Sequence, residues 1–217
     1  MSTAFAFERV PPVPSRLCWF VLVAGMALGT ACAGAATVSV QVADRAGKPL
    51  AEAVVMLVPV SGRLPIRPMS GVEIAQSHRQ FSPRVTVVTV GTSIAFPNLD
   101  TVRHHVYSFS PVKSFELKLY AGVPATPVVF DKPGVATLGC NIHDAMVAWV
   151  VVVDTPLFTR SGVAGKAEID AVPAGDYELR VWHSELPESS PGVSTPLTVA
   201  GADIQTRASL ATVGSRK

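Results

Sequence analysis

The residues of this 217-residue chain best suited to chemistry sit in one short stretch, LGCNIHDAM (138–146). It carries Cys140, His143 and Met146, each three positions after the last. The thiolate form of a cysteine binds metal as a soft donor, and a thioether binds weakly. One thiolate, two imidazoles and a weak thioether make the donor set that holds copper for one-electron transfer. The stretch supplies three of these four groups, so a second imidazole must come from elsewhere. Besides His143 there are only His78, His104, His105 and His183. The doublet His104–His105 opens a strand directly after a polar loop, PNLDTVR (97–103), and is the natural source. Taken singly, Cys140 and Met146 read as core fillers and His143 as a surface or capping residue. Their joint spacing, with a histidine-bearing strand upstream, favours a metal site.

The elements that position these groups begin after an export signal. Arg9 and Arg16 precede an apolar run at 17–34, and small residues follow in ACAGAA (31–36). This is the layout of a cleaved signal peptide over residues 1–36, with a periplasmic destination and no membrane span left in the mature chain. Leu28 stands one position too far from Cys32 for a lipid-anchor signal, so none is expected. Cleavage removes Cys18 and Cys32. Cys140 then remains as a lone thiol in an oxidising compartment, where it is either buried and inert or bound to something.

Composition points to β structure. Apolar residues make up 48% of the chain, with 18 prolines and 16 glycines, a mix that favours strands and turns over long helices. A net charge of +2 with no dense basic run excludes nucleic acid as the main partner. TVSVQV (37–42), AVVMLVPV (53–60), RVTVVTVG (84–91), HHVYSFS (104–110), SFELKLY (114–120), VATLGC (135–140) and MVAWVVVVD (146–154) read as strands. KAEIDAVPAGDYELRVWH (166–183) reads as strand, turn, strand, and TPLTVAG and IQTRASL close the chain as two more. Short strands at this spacing predict an all-β sandwich or barrel. Residues 72–80 carry the one hint of a helical turn. His78 and His183 are expected to face solvent, and Asp100 and Arg103 are expected to be loop-surface groups. No nucleophile–base–acid set stands out, so the chain is not expected to be an enzyme.

FPNLDTVRHHVYSFS (96–110), followed by GCNIHDAM (139–146), resembles the cupredoxins, the small blue-copper proteins, and by spacing the amicyanin and plastocyanin types. In those families an Asn stands six positions before the first ligand His and a Val two positions after it, which Asn98, His104 and Val106 reproduce. The amicyanin-like loop Cys-x2-His-x2-Met is matched by Cys140, His143 and Met146. The resemblance implies a cupredoxin-like Greek-key sandwich over 72–155 that holds copper through His104, Cys140, His143 and Met146. The run 81–154 also looks like a group of periplasmic plastocyanin-like proteins, some labelled methylamine utilisation proteins. Two departures stand out. The family usually has Asn after the first ligand His, where this chain has His105, so His105 stays open as the alternative ligand. It often has Pro after the second, where this chain has Asp144, a carboxylate expected beside the site. Asn98 is expected to fix its loop through backbone hydrogen bonds.

The segments 37–61 and 158–212 resemble the two ends of a carboxypeptidase-regulatory-like, prealbumin-type β-sandwich, and together would form a second, split Ig-like module. The reading that follows is a periplasmic one-electron carrier that meets redox partner proteins transiently. Two alternatives stay open: copper storage or delivery without fast electron transfer, and a structural β module with a vestigial site.

Overall fold

The computed structural model describes residues 35–124, 126–187 and 190–212. The expected signal peptide and its two cysteines lie outside them, apart from Ala35 and Ala36. Among the described residues there is no helix, and therefore none long and apolar enough to cross a membrane. The chain is all-β. In order, the strands are β1 (Ala36–Asp44), β2 (Val54–Pro59), β3 (Val72–Glu73), β4 (Ala75–Ser77), β5 (Gln80–Ser82), β6 (Val85–Thr89), β7 (Thr92–Ala95), β8 (His104–Ser110) and β9 (Lys113–Tyr120). They continue with β10 (Val128–Phe130), β11 (Gly134–Gly139), β12 (Val147–Val153), β13 (Phe158–Arg160), β14 (Lys166–Val172), β15 (Gly175–Trp182), β16 (Val193–Val199) and β17 (Ile204–Leu210).

A five-stranded sheet, β6-β12-β11-β8-β9, carries the chemistry-bearing residues. Beside it lie a three-stranded sheet β10-β7-β3 and the hairpin β4-β5. The two ends of the chain build two further sheets, β14-β1-β17 and β13-β2-β15-β16. β1 shows why they pack. Val38, Val40 and Val42 alternate with polar residues and are fully buried, because successive strand side chains point to opposite faces.

Two apolar cores result. One gathers Val38, Val40, Leu57, Ile169, Leu179 and Leu210 from the terminal segments. The other gathers Ile74, Phe96, Val106, Phe130, Leu138 and Met146. β12 is the wall between them. Its Ala148, Val150 and Val152 face the second core, and its Val151 and Val153 face the first. A strand buried on both faces reads as a continuous apolar run, which accounts for AWVVVV. Trp149, on the first face, reaches Trp182 of β15 with ring centroids 6.2 Å apart. The described residues thus form one compact unit.

Two expectations need correction. Residues 72–80 are not helical: they form β3, β4 and the start of β5. Ile74 and Gln76 are buried two positions apart, which is strand periodicity. His183 does not face solvent. It is 7% exposed, because its Nε2 donates to the Ala51 carbonyl at 2.9 Å and its Nδ1 accepts from the Glu185 amide at 3.1 Å. With both ring nitrogens bonded, the imidazole can be buried. His78 is exposed, as is Arg103.

Candidate metal centre

Strand register brings the donors together. β11 and β8 are antiparallel neighbours, with Gly139 opposite Tyr107. Cys140 leaves the end of β11 as β8 is beginning beside it, so His104 starts its strand next to the loop that Cys140 opens. That loop, residues 140–146, joins β11 to β12. It is a tight turn in which the Met146 amide donates to the His143 carbonyl at 2.9 Å. A straight strand would throw alternate side chains to opposite faces; the turn lets Cys140 and His143 converge.

One ligand atom each from His104, Cys140 and His143 lies within 4.8 Å of the other two. Among the described residues, no other group of three or more His, Cys, Asp or Glu side chains is this close. His104 is fully buried, Cys140 is 3% exposed, and His143 is partly exposed. The two imidazole rings meet edge to face, with centroids 5.1 Å apart. Met146 is buried in the same core cluster as Cys140.

The hydrogen-bonding pattern tests whether an ion fits. Nδ1 of His104 and Nδ1 of His143 are both buried and have no hydrogen-bond partner. Buried polar atoms are nearly always bonded, and leaving one unsatisfied costs about 1–3 kcal/mol. Two such nitrogens beside a buried thiol make a donor set awaiting an acceptor of lone pairs. Its chemistry, one soft sulfur, two imidazoles and a thioether nearby, fits copper.

His105 stands outside the cluster. Its Nε2 meets Glu116 Oε1 at 2.8 Å, and its ring lies 5.5 Å from that of Tyr107. Its Nδ1 is also buried and unbonded. Asn98, 4% exposed, ties the preceding loop as expected. It donates to the carbonyls of Val102 and Tyr120 at 2.9 and 2.8 Å and accepts from the Asp100 amide at 3.0 Å. Asp144 is exposed, and no hydrogen bond joins it to His143.

The carboxylate that does meet a site imidazole belongs to Asp100, which the sequence marked only as a loop-surface group. Its Oδ2 lies 2.7 Å from Nε2 of His104. Asp100 is held at a pKa of about 2, first by the Arg79 amide, then by His104 and the His78 amide, against the opposing effect of its partial burial. The available signal was the spacing, a carboxylate four positions before an imidazole. Beneath the site a second network was invisible in sequence. The fully buried Gln76 donates to the Tyr120 hydroxyl, which itself donates to the Phe96 carbonyl at 2.7 Å.

No family model matches the chain, and no curated protein matches it significantly. Solved structures do match parts of it. A purple cupredoxin from Nitrosopumilus maritimus is similar at 22% identity, over 38% of this chain and 99% of its own, with a TM-score of 0.34. A copper-containing nitrite reductase from Thermus scotoductus is similar at 22% identity, over 42% of this chain and 28% of its own, with a TM-score of 0.36. A mutant of amicyanin in its reduced Cu(I) form is similar at 16% identity, over 46% of this chain and 98% of its own, with a TM-score of 0.36.

Proposed function

We propose that this chain is a periplasmic type 1 copper protein that passes single electrons between partner proteins. The observation that carries the reading is the convergence of His104, Cys140 and His143 within 4.8 Å, with Nδ1 of both imidazoles buried and unbonded. Cys140 would bind as the thiolate, His104 as the fully buried imidazole, and His143 as the partly exposed one. Met146 is the weak fourth donor of such a set. When bound, copper supplies a one-electron Cu(I)/Cu(II) couple. The surrounding strands hold the donors and exclude water from Cys140. The partly exposed His143 ring offers the shortest way out to a partner.

No substrate is transformed in this reading, so the protein is a carrier and not an enzyme. Its partners are a one-electron donor and a one-electron acceptor, each met briefly. The sequence resemblance to proteins labelled for methylamine utilisation makes a methylamine-oxidising dehydrogenase one donor to try.

Copper loading of the signal-free protein, followed by its optical spectrum, tests the reading. An intense visible band from thiolate bound to Cu(II) is expected, and Cys140→Ser abolishes it. Copper held only as Cu(I), with no such band on oxidation, would instead indicate storage or delivery. No retained copper would leave a structural module.

A further inference from the structure

We infer that Asp100 is a positioning residue for the metal centre, holding the His104 ring in the one tautomer that turns a free Nδ1 lone pair toward Cys140 and His143. The inference rests on the copper reading of the site and deepens it.

The carboxylate is anchored independently of His104. β4 and β5 are joined by a two-residue turn, His78–Arg79, with Ser77 paired to Gln80. Both turn residues have positive φ, 54° and 57°, the pattern of a type I′ hairpin turn. Asn-Gly is the usual pair there, because side chains disfavour positive φ. In this conformation the turn presents two backbone amides to one carboxylate. The His78 amide donates to Asp100 Oδ1 at 2.7 Å, and the Arg79 amide donates to Oδ2 at 2.9 Å. The same Oδ2 meets His104 Nε2 at 2.7 Å. Two backbone donors from a separate hairpin therefore set the place of the carboxylate, and the imidazole is held to it.

A carboxylate oxygen only accepts, so the His104 proton resides on Nε2. Nδ1 of His104, buried and otherwise unbonded, is then the ring's free lone pair, and His104 is one of the three donors of the cluster. A histidine that binds metal through one nitrogen commonly donates its other N–H to such a partner, which fixes the ring and raises its basicity. Asn98 sets up this arrangement from the other side, since its side-chain oxygen accepts the Asp100 amide.

The experiment follows the His104 ring by 15N NMR in the copper-free protein, then measures copper affinity and reduction potential after loading, in wild type, Asp100→Ala and Asp100→Asn. In wild type the Nε2–H tautomer is expected. Asp100→Ala is expected to mix the tautomers and weaken copper binding about 10–100-fold. Asp100→Asn keeps an oxygen for His104 Nε2, so the tautomer is expected to persist. The potential should rise, because the lost negative charge had favoured Cu(II). If Asp100→Ala does not fold, Asp100→Asn carries the test through the potential, which moves only if the charge bonded to His104 Nε2 reaches the metal. Unchanged tautomer and affinity in Asp100→Ala, or an unchanged potential in Asp100→Asn, overturns the inference while a coloured wild-type protein keeps the copper reading. A wild-type protein that retains no copper but whose His104 tautomer still depends on Asp100 overturns the copper reading and leaves the positioning of the ring intact.

Discussion

His104 and His105 are consecutive residues whose rings enter different environments. The His104 ring stands 5.1 Å from that of His143, whereas the His105 ring stands 5.5 Å from that of Tyr107 and bonds Glu116. Strand geometry enforces the split, since neighbours on β8 point to opposite faces. The pairing of β8 with β9 shifts register between His104 and Val106.

The doublet yields the first prediction. His104→Ala is expected to weaken copper binding by more than the roughly 10–100-fold that loss of a partner outside the donor set costs. His105→Ala should leave both the visible band and the affinity in place. Titration of copper into each variant, read by absorbance, checks this. Loss of the band in His105→Ala with its retention in His104→Ala would reverse the assignment.

A second prediction concerns Gly139, which precedes Cys140. A Cβ there would stand 2.6 Å from Cζ and 2.7 Å from Oη of Tyr107, well inside contact distance. Tyr107 is itself hemmed by His105 and Phe109, with ring centroids 5.5 and 5.1 Å away. Gly139→Ala should therefore destabilise the fold by about 1–3 kcal/mol, the usual cost of overpacking. In a Tyr107→Leu background the same change should cost less, because the obstructing ring is gone. Denaturant unfolding of the four proteins of this double-mutant cycle measures the coupling. Additive effects would mean that the ring does not limit Gly139.

How much of this was readable in advance depended on whether the information was local. Cys140, His143 and Met146 share one loop, so their spacing alone suggested a common site. Alternation in TVSVQV gave β1 its buried face. The Asp100 carboxylate was not readable in that way. In PNLDTVR it looks like any solvated loop acid, and its meaning comes from two amides of a hairpin turn at His78–Arg79. That hairpin was itself hidden, because His-Arg carries none of the Asn-Gly signal of a type I′ turn. The burial of His183 is hidden for a related reason: it depends on the carbonyl of Ala51, 132 residues away in sequence.

Alkaline pH gives a third prediction. Burial pushes the Tyr120 phenol from its ordinary 10.0 up to about 12, partly offset by the hydrogen bond from Gln76. The folded state therefore keeps its proton where the unfolded chain has released it. The resulting stability is fully present below about pH 10 and is lost as pH rises toward 12. Tyr120→Phe should flatten this slope. It should also lower stability at neutral pH by about 1–3 kcal/mol, since the buried Gln76 amide and Phe96 carbonyl lose the hydroxyl between them and keep only their long mutual contact of 3.4 Å. Unfolding free energies measured from pH 8 to 11.5 check both parts. An unchanged alkaline slope in Tyr120→Phe would assign it to other groups.

Met146 separates its two roles, core residue and donor, by choice of substitution. It is 1% exposed and packs in the cluster that includes Cys140 and Leu138. Met146→Ala should cost about 2–5 kcal/mol through the cavity it leaves. Met146→Leu conserves volume and should cost less than about 1.5 kcal/mol. If the thioether is the weak fourth donor, Met146→Leu retains copper and a visible band, because Cys140 and the two imidazoles remain. Its reduction potential changes, since in such sites the weak donor tunes the potential. Equilibrium unfolding and redox titration of the same two variants separate the roles. A potential identical to wild type in a stable, coloured Met146→Leu protein would make Met146 a packing residue alone and leave three donors at the centre.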